Sequence, residues 1–236
     1  GKKVDKIFLF FDEELKNVSN NHNKLKEIKN KLVISPKKTI FLCDNKENLK
    51  KYLKKTNNLN IPVFKKNRLN IIKPNIGRGS KNIFYSKDNQ LLNFFLKDKN
   101  FTVEEFIKGK EYTIDCLFDV KGNLIFSLSR ERISAQNVSI IGKIIKDPEL
   151  DKIIKSISKK IKFFGPINVQ IIKSKNKYFL VEINPRLSGS IIFSIKSGFD
   201  PFIILKNIFN KKKIFINKIK YNNKIFRYFN SVYDSW

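Results

Sequence analysis

The chain predicts an α+β fold, with antiparallel hairpins and helices mixed rather than an all-parallel sheet. Three observations carry this. A long hairpin spans 111–119 and 124–133, turning at Lys121-Gly122-Asn123, and a second spans 166–173 and 177–184 around Ser174-Lys175-Asn176. Between them, Leu150, Ile153, Ile154, Ile157 and Ile161 recur at helical spacing within 148–163. The 236 residues are 41% hydrophobic and include 22 Phe, enough apolar mass for a core and too much for a disordered basic tail.

The remaining elements follow in order. Lys6–Phe11 reads as a short buried strand, and Asp12 as a helix N-cap with Glu13 and Glu14 in a favourable first turn. Leu15, Val18, Leu25, Ile28 and Leu32 keep a rough helical spacing, broken by Asn20–Asn23. Leu32–Ile34 is a strand ended by Pro36. A helix over Asn45–Thr56 puts Leu49, Tyr52 and Leu53 on one face, and Ile61–Phe64 is extended. Asn70–Pro74 is a strand leading into the loop 75–81, with a return strand at Asn82–Tyr85. Gln90–Leu96 is helical and Phe101–Ile107 a strand. Phe202–Phe209 is helical, while Lys212–Ile216 and Lys224–Phe229 read as edge strands. There is no internal repeat and no low-complexity linker.

Composition narrows the function classes. The net charge of +28 invites a nucleic-acid reading. Yet only six of the 49 basic residues are Arg, the better reader of phosphates and bases, and the chain holds a single Ala. A composition heavy in Lys, Asn, Ile and Phe follows AT-rich coding, and most of the Lys then sit on solvated faces. This argues against nucleic acid as partner, while a positive field still favours anionic substrates. Two distant cysteines, Cys43 and Cys116, support no disulfide framework, so a reduced, cytoplasmic compartment is expected. No apolar run reaches membrane-span length.

Three segments carry chemistry. In Lys73-Pro-Asn-Ile-Gly-Arg-Gly-Ser-Lys81, a strand ends in a cation and a Gly-rich loop follows, able to bring backbone N–H groups to phosphate oxygens. An ordinary hairpin connection explains that loop equally well. In Thr102–Thr113, a strand that ends at Ile107, breaks at Gly109 and resumes at Glu111 makes a hinge. Its free backbone groups can pair with an adenine edge, Phe106 and Ile107 can pack on its face, and Glu111 can accept from ribose hydroxyls. A plain strand with exposed acids is the alternative. The third segment pairs Asn168-Val-Gln170 with Glu182-Ile-Asn184-Pro-Arg186. A two-residue step places Glu182 and Asn184 on one strand face, with Gln170 across from them. Their oxygens suit Mg²⁺, and Arg186 is placed to hold a phosphoryl oxygen.

In this order and spacing the three segments resemble the ATP-grasp superfamily, most of all carbamoyl-phosphate synthase large-subunit domains and carboxylate–amine ligases. The resemblance covers about residue 39 to the end. It implies two α+β lobes clasping ATP, a small lobe over 39–108 and a large lobe with the metal site over 109–236. Residues 1–38 then resemble the C-terminal remnant of the Rossmann-like domain that precedes such lobes. The implied metal ligands are Gln170, Glu182 and Asn184, for Mg²⁺ or Mn²⁺. The implied nucleotide contacts are Lys46, Lys73, Gly77, Gly79, Ser80, Glu104, Glu105, Phe106, Ile107 and Glu111. The implied catalytic cations are Lys73, Arg186 and Arg130 or Arg132. Two departures stand out. Asn45 separates Asp44 from Lys46 where many members carry an Asp-Lys pair, and no acid follows Arg130-Glu-Arg132 where many have Gly-Glu. A salt bridge within the hairpin is the alternative for both Arg130 and Arg132. The implied activity is an ATP- and Mg²⁺-dependent ligase that turns a small carboxylate into an acyl phosphate for attack by an amine. A degenerate, non-catalytic ATP-binding module is the rival. His22, the only His, excludes Ser-His-Asp and Cys-His chemistry.

Overall fold

A computed structural model describes residues 4–77, 81–136 and 138–228. The chain begins with a small parallel unit. β1 (Ile7–Phe8) pairs with β2 (Leu32–Val33) across α1 (Asp12–Asn20) and a 3₁₀ turn at Lys29–Lys31. The helix starts one residue earlier than the expected Asp12 cap. Phe11 holds the cap position, and the Glu14 carboxylate accepts the Phe10 and Phe11 N–H groups, both at 3.1 Å. Asp12 is thereby released for a different contact. The expected strand over 6–11 shrinks to two residues because this turn consumes its second half.

Two short helices follow, α2 (Lys37–Asp44) and α3 (Lys46–Leu53), with Asn45 between them accepting the Asn48 N–H. The Thr39 hydroxyl donates to the Lys162 carbonyl at 2.7 Å, which anchors α2 to the far half of the chain. β3 (Asn70–Pro74), β4 (Phe84–Ser86), α4 (Asn89–Lys97) and β5 (Phe101–Glu105) build a three-stranded antiparallel sheet in the order β4-β3-β5. Its core is small: Leu92 of α4 sits against Ile72 and Val103.

The second half is a six-stranded sheet in the order β10-β9-β6-β7-β8-β11. It comprises β6 (Lys110–Phe118), β7 (Leu124–Gln136), β8 (Val138–Ile145), β9 (Gly165–Ser174), β10 (Lys177–Asn184) and β11 (Lys224–Phe226), all antiparallel. α5 (Pro148–Ser158) covers one face. Asp147 accepts the Glu149 N–H, Pro148 sits in the first turn, and Glu149 and Asp151 complement the positive end of the helix. Its buried stripe Leu150, Ile153, Ile154 and Ile157 packs on Ile114, Val169, Ile171 and Leu180. The same core takes in Leu49 and Leu53 of α3. On the other face, Phe199 and the α7 (Pro201–Phe209) residues Ile204 and Leu205 pack on Leu117, Leu128 and Ile144. α6 (Ile192–Lys196) closes the turn before them. This is the α+β architecture the hairpin and helix pattern predicts.

Three elements, α2, β8 and α6, lack a sequence expectation, because none has a clean period. One expected strand does not form. Among the described residues, 212–216 pair with no strand, while β11 takes the sheet edge beside β8; Ile216 instead packs into the second core. The end of the expected strand 224–229 lies outside the described residues. Among the described residues, no helix is long and apolar enough to cross a membrane.

Ile154 is buried at the centre of the α5 stripe in the large core, so Ile154→Ala should lower stability by about 2–5 kcal/mol, read as a lower midpoint in urea unfolding.

Candidate active site

The β9–β10 hairpin places the acidic residues. Along β9, Ile167, Val169 and Ile171 face the α5 core, while Asn168, Gln170 and Ile172 face the opposite way. On β10, Tyr178 and Leu180 also face the core. Strict alternation would carry Glu182 inward with them. The register instead slips between Leu180 and Glu182, leaving Val181 as the extra residue. Beyond the slip, Glu182 stands across from Gln170 and Asn184 across from Asn168, while Ile183 returns to the core opposite Val169. A bulge of this kind re-aims side chains by one position. The shared face of Glu182 and Asn184 was legible in the sequence; the bulge that points it outward was not.

Opposite this hairpin stands the small lobe, and between them runs a cleft of about 410 Å³. Lys46, Lys73, Gly77, Glu104, Glu105, Phe106, Ile107, Glu111, Arg132, Gln170 and Glu182 all line it. Gly79 and Ser80 lie outside the described residues. Asn75 sets the loop that leads to them. Its amide donates to the Lys99 and Phe101 carbonyls at 2.7 and 3.3 Å, and its carbonyl accepts the Lys46 N–H. The Lys46 ammonium then donates to the Gly77 carbonyl at 2.9 Å. The structure thus brings Lys46 to the loop despite the residue inserted before it.

At the hinge the Glu105 and Phe106 N–H groups donate to the Val63 and Leu69 carbonyls, both at 2.9 Å. Among the described residues the Ile107 peptide has no backbone partner. Gly109 is needed where the chain re-enters the sheet, because a Cβ there would run into the Lys173 carbonyl and Ile172.

Charge in the cleft is unusually buried. Lys73 and Lys50 both pair with Glu104, Lys73 at 2.6 Å, and all three side chains are about 6% exposed. Burial pushes Lys73 down to about 8, opposed by the nearby negative charge of Glu182. Burial and the neighbouring Lys73 charge hold Lys50 well below the ordinary lysine range. Glu104 therefore serves as a buried counter-ion to two lysines. At the other wall, Glu111 pairs with Arg132, whose guanidinium also reaches Gln170 at 3.5 Å.

Asn184 and Arg186 line a second cavity, of about 420 Å³, that shares Arg132, Gln170 and Glu182 with the cleft. The Asn184 amide donates to Glu182 at 2.8 Å. Two expected phosphate-facing cations are otherwise engaged. Arg186 forms a two-pronged pair with Asp12, both contacts at 2.8 Å, and donates to the Leu187 carbonyl at 3.0 Å. Arg130 is fully buried beneath the cavity and donates to Asp115 and to the hydroxyls of Ser139, Ser188 and Ser190. It lines neither cavity, because an unpaired buried guanidinium is prohibitive and Asp115, on the neighbouring strand, compensates it. Each of the two arginines thus has an acid on the same hairpin, Asp115 for Arg130 and Glu111 for Arg132.

Several lining residues escaped the sequence reading. Ile71 lies two residues before Lys73 on its strand, and Ile172 two after Gln170, so a period-2 extension of each motif would have found them. Lys81 and Tyr85 had no such signal, nor did Lys50, which reaches Glu104 without lining the cleft.

Two lobes joined by a hinge, with a basic cleft between them and an acid–amide hairpin on one wall, make up the ATP-grasp fold. A family model described as ATP-grasp in the biosynthetic pathway with Ter operon matches residues 97–226, more than half the chain, and the chain belongs to that family. No curated protein matches. Among solved structures, L-amino acid ligase from Bacillus licheniformis is 19% identical with a TM-score of 0.62, over 86% of this chain and 55% of its own. N5-carboxyaminoimidazole synthetase from Staphylococcus aureus, complexed with ADP, is 16% identical with a TM-score of 0.67, over 93% and 62%. The biotin carboxylase domain of 2-oxoglutarate carboxylase from Hydrogenobacter thermophilus, in complex with MgADP, ADP and bicarbonate, is 15% identical with a TM-score of 0.70, over 93% and 57%. At these identities the likeness is one of fold. The chain spans between 55% and 62% of the length of these structures.

Asp12 and Arg186 join the first helix to the end of β10 through a partly buried, two-pronged contact. Asp12→Asn should therefore destabilise the chain by about 1–3 kcal/mol, measured by thermal melting.

Proposed function

We propose that the chain binds ATP in the cleft between its lobes and activates a small carboxylate as an acyl phosphate, for attack by an amine. One observation carries the reading. Lys46, Lys73, Gln170 and Glu182 share a single cleft with the apolar Ile71, Ile172 and Phe106 and with the open Ile107 peptide. Cations for a polyphosphate, a flat apolar slot and a free peptide edge are the three things a purine nucleotide needs. Ile71 and Ile172 sandwich the base, Ile107 pairs with its edge, Glu111 accepts from the ribose, and Lys46 and Lys73 hold the phosphates.

The metal donors fit with a condition. Glu182 is the one carboxylate, beside the amides Gln170 and Asn184. No group of three or more His, Cys, Asp or Glu gathers elsewhere among the described residues. One carboxylate suits a hard cation whose shell is completed by phosphate oxygens, so these residues would hold Mg²⁺ together with the nucleotide. When bound, the ion supplies charge neutralisation at those oxygens.

In the reaction a carboxylate oxygen attacks the terminal phosphorus of ATP. The bond to the bridging oxygen breaks, and its electron pair leaves with ADP. The amine then attacks the acyl carbon, displaces phosphate and loses a proton. Nucleophile and target are both anionic, so the protein's part is positioning and charge compensation. Lys73, ionised below about pH 8, is the central cation. Nucleotide binding without turnover is a second reading, favoured by the single carboxylate in the donor set. An ATP-dependent hydroxamate assay over candidate acids separates the two.

Calorimetry should show ATP binding that strengthens with Mg²⁺, and Glu182→Ala should remove that strengthening together with any turnover. No heat and no thermal shift at millimolar nucleotide would overturn the reading. ATP affinity should also fall as the pH rises through about 8 towards the ordinary lysine range, by at most about tenfold per unit, since bound phosphate needs Lys73 charged. In the same window the free chain should gain stability from this group, because the unfolded state keeps the proton that the folded state has lost. Lys73→Met should bind ATP weakly and remove the Lys73 contribution to both trends.

A further inference from the structure

The second cavity has a floor and a mouth of opposite character. The floor carries Ser139, Ser188 and Ser190, exposed by only 1%, 6% and 5%. Each hydroxyl accepts from the buried Arg130 guanidinium, at 3.3, 3.3 and 2.8 Å respectively. A serine hydroxyl that accepts from a cation still has its own proton to give. Among the described residues none of the three gives that proton to the protein. Asp115 lies behind Arg130 at 3.2 Å, so the floor offers polarised O–H donors with little net charge beneath them. The turn that holds Ser188 and Ser190 is fixed from outside, where Arg227 donates to the Gly189 carbonyl at 3.1 Å.

The mouth is apolar. Phe10 and Phe11 line it and remain 48% and 62% exposed, beside Leu187. Their place is set by two contacts already described. The Glu14 carboxylate holds the backbone N–H groups of both residues, and the adjoining Asp12 is clamped to Arg186. Two aromatic rings are thus kept half in solvent above a set of unused donors.

We propose that this cavity binds the acid to be activated, and that the acid is a monocarboxylate with an aryl or branched alkyl side chain. The three serine hydroxyls take one carboxylate oxygen. The other oxygen faces Glu182 and Gln170, which line both cavities, and so faces the nucleotide. Phe10 and Phe11 cover the side chain. A dicarboxylate would set its second charge against the rings, and acetate or bicarbonate would leave them uncovered. The proposal rests on the acyl-activation reading above.

Binding of acids to the full chain, loaded with ADP and Mg²⁺, can be measured by saturation-transfer NMR without any turnover. Phenylacetate and 4-methylpentanoate should bind at least about tenfold more tightly than acetate, bicarbonate or succinate. Phe11→Ala should shrink the advantage of phenylacetate over acetate several-fold. Ser190→Ala should weaken both acids alike. Equal or better binding of acetate, bicarbonate or succinate overturns the proposal, as does an unchanged preference in Phe11→Ala. Nucleotide binding with no acid bound at millimolar concentration overturns it too, while leaving the nucleotide site standing. Failure to bind ADP would instead defeat the underlying reading.

Discussion

The slip in register between Leu180 and Glu182 governs the chemical face of this chain. β9 and β10 both bury alternate residues against α5, and the pleat allows no exception without an extra residue. Val181 is that residue. Ahead of it the outward positions carry Lys177 and Phe179, and beyond it they carry Glu182 and Asn184. Leu180 and Ile183 still reach the core on either side, so the change of face leaves the packing intact. The acid–amide cluster, the wall shared by the two cavities and the approach of Lys73 to Glu182 all depend on it.

A second constraint is where the cations can be put. The charge of +28 suggests a surface covered in lysine, yet five basic residues around the site are largely buried and each has a defined acid. Lys50 and Lys73 share Glu104, Arg132 has Glu111, Arg130 has Asp115 and Arg186 has Asp12. Buried pairs of this kind add little net stability, because desolvation offsets most of the attraction, but they fix positions. Of the two lysines, Lys73 is the one that lines the cleft. Burial holds it near the edge of deprotonation, so a bound polyanion has the most to contribute there.

The Asp12–Arg186 pair also shows how distant segments are joined. It links α1 to the turn after β10 across 174 residues of sequence, while Thr39 and Ser35 tie the same N-terminal region to residues 162 and 164. The N-terminal unit is therefore part of the wall of the second cavity. Its contribution there is two phenylalanine rings that a reading of residues 6–11 as a buried strand would have turned inward.

The sequence by itself determined the parts whose signals are local. Turn residues at 121–123 and 174–176 announced both hairpins, the Leu-Ile stripe announced α5, and the strings Asn168-Val-Gln170 and Glu182-Ile-Asn184-Pro-Arg186 identified the family. Spacing of two along a strand was enough to put Glu182 and Asn184 together. Tertiary structure decided everything that depended on a partner far along the chain. It took Arg130 out of the site by supplying Asp115, Ser188 and Ser190, and engaged Arg186 with Asp12. It placed Lys50 beside Lys73, and it brought Ile71 and Ile172 into one cleft. A short motif states which groups are available; burial and counter-charge, which arise only when the lobes assemble, settle which of them face a ligand and which are taken up by the protein.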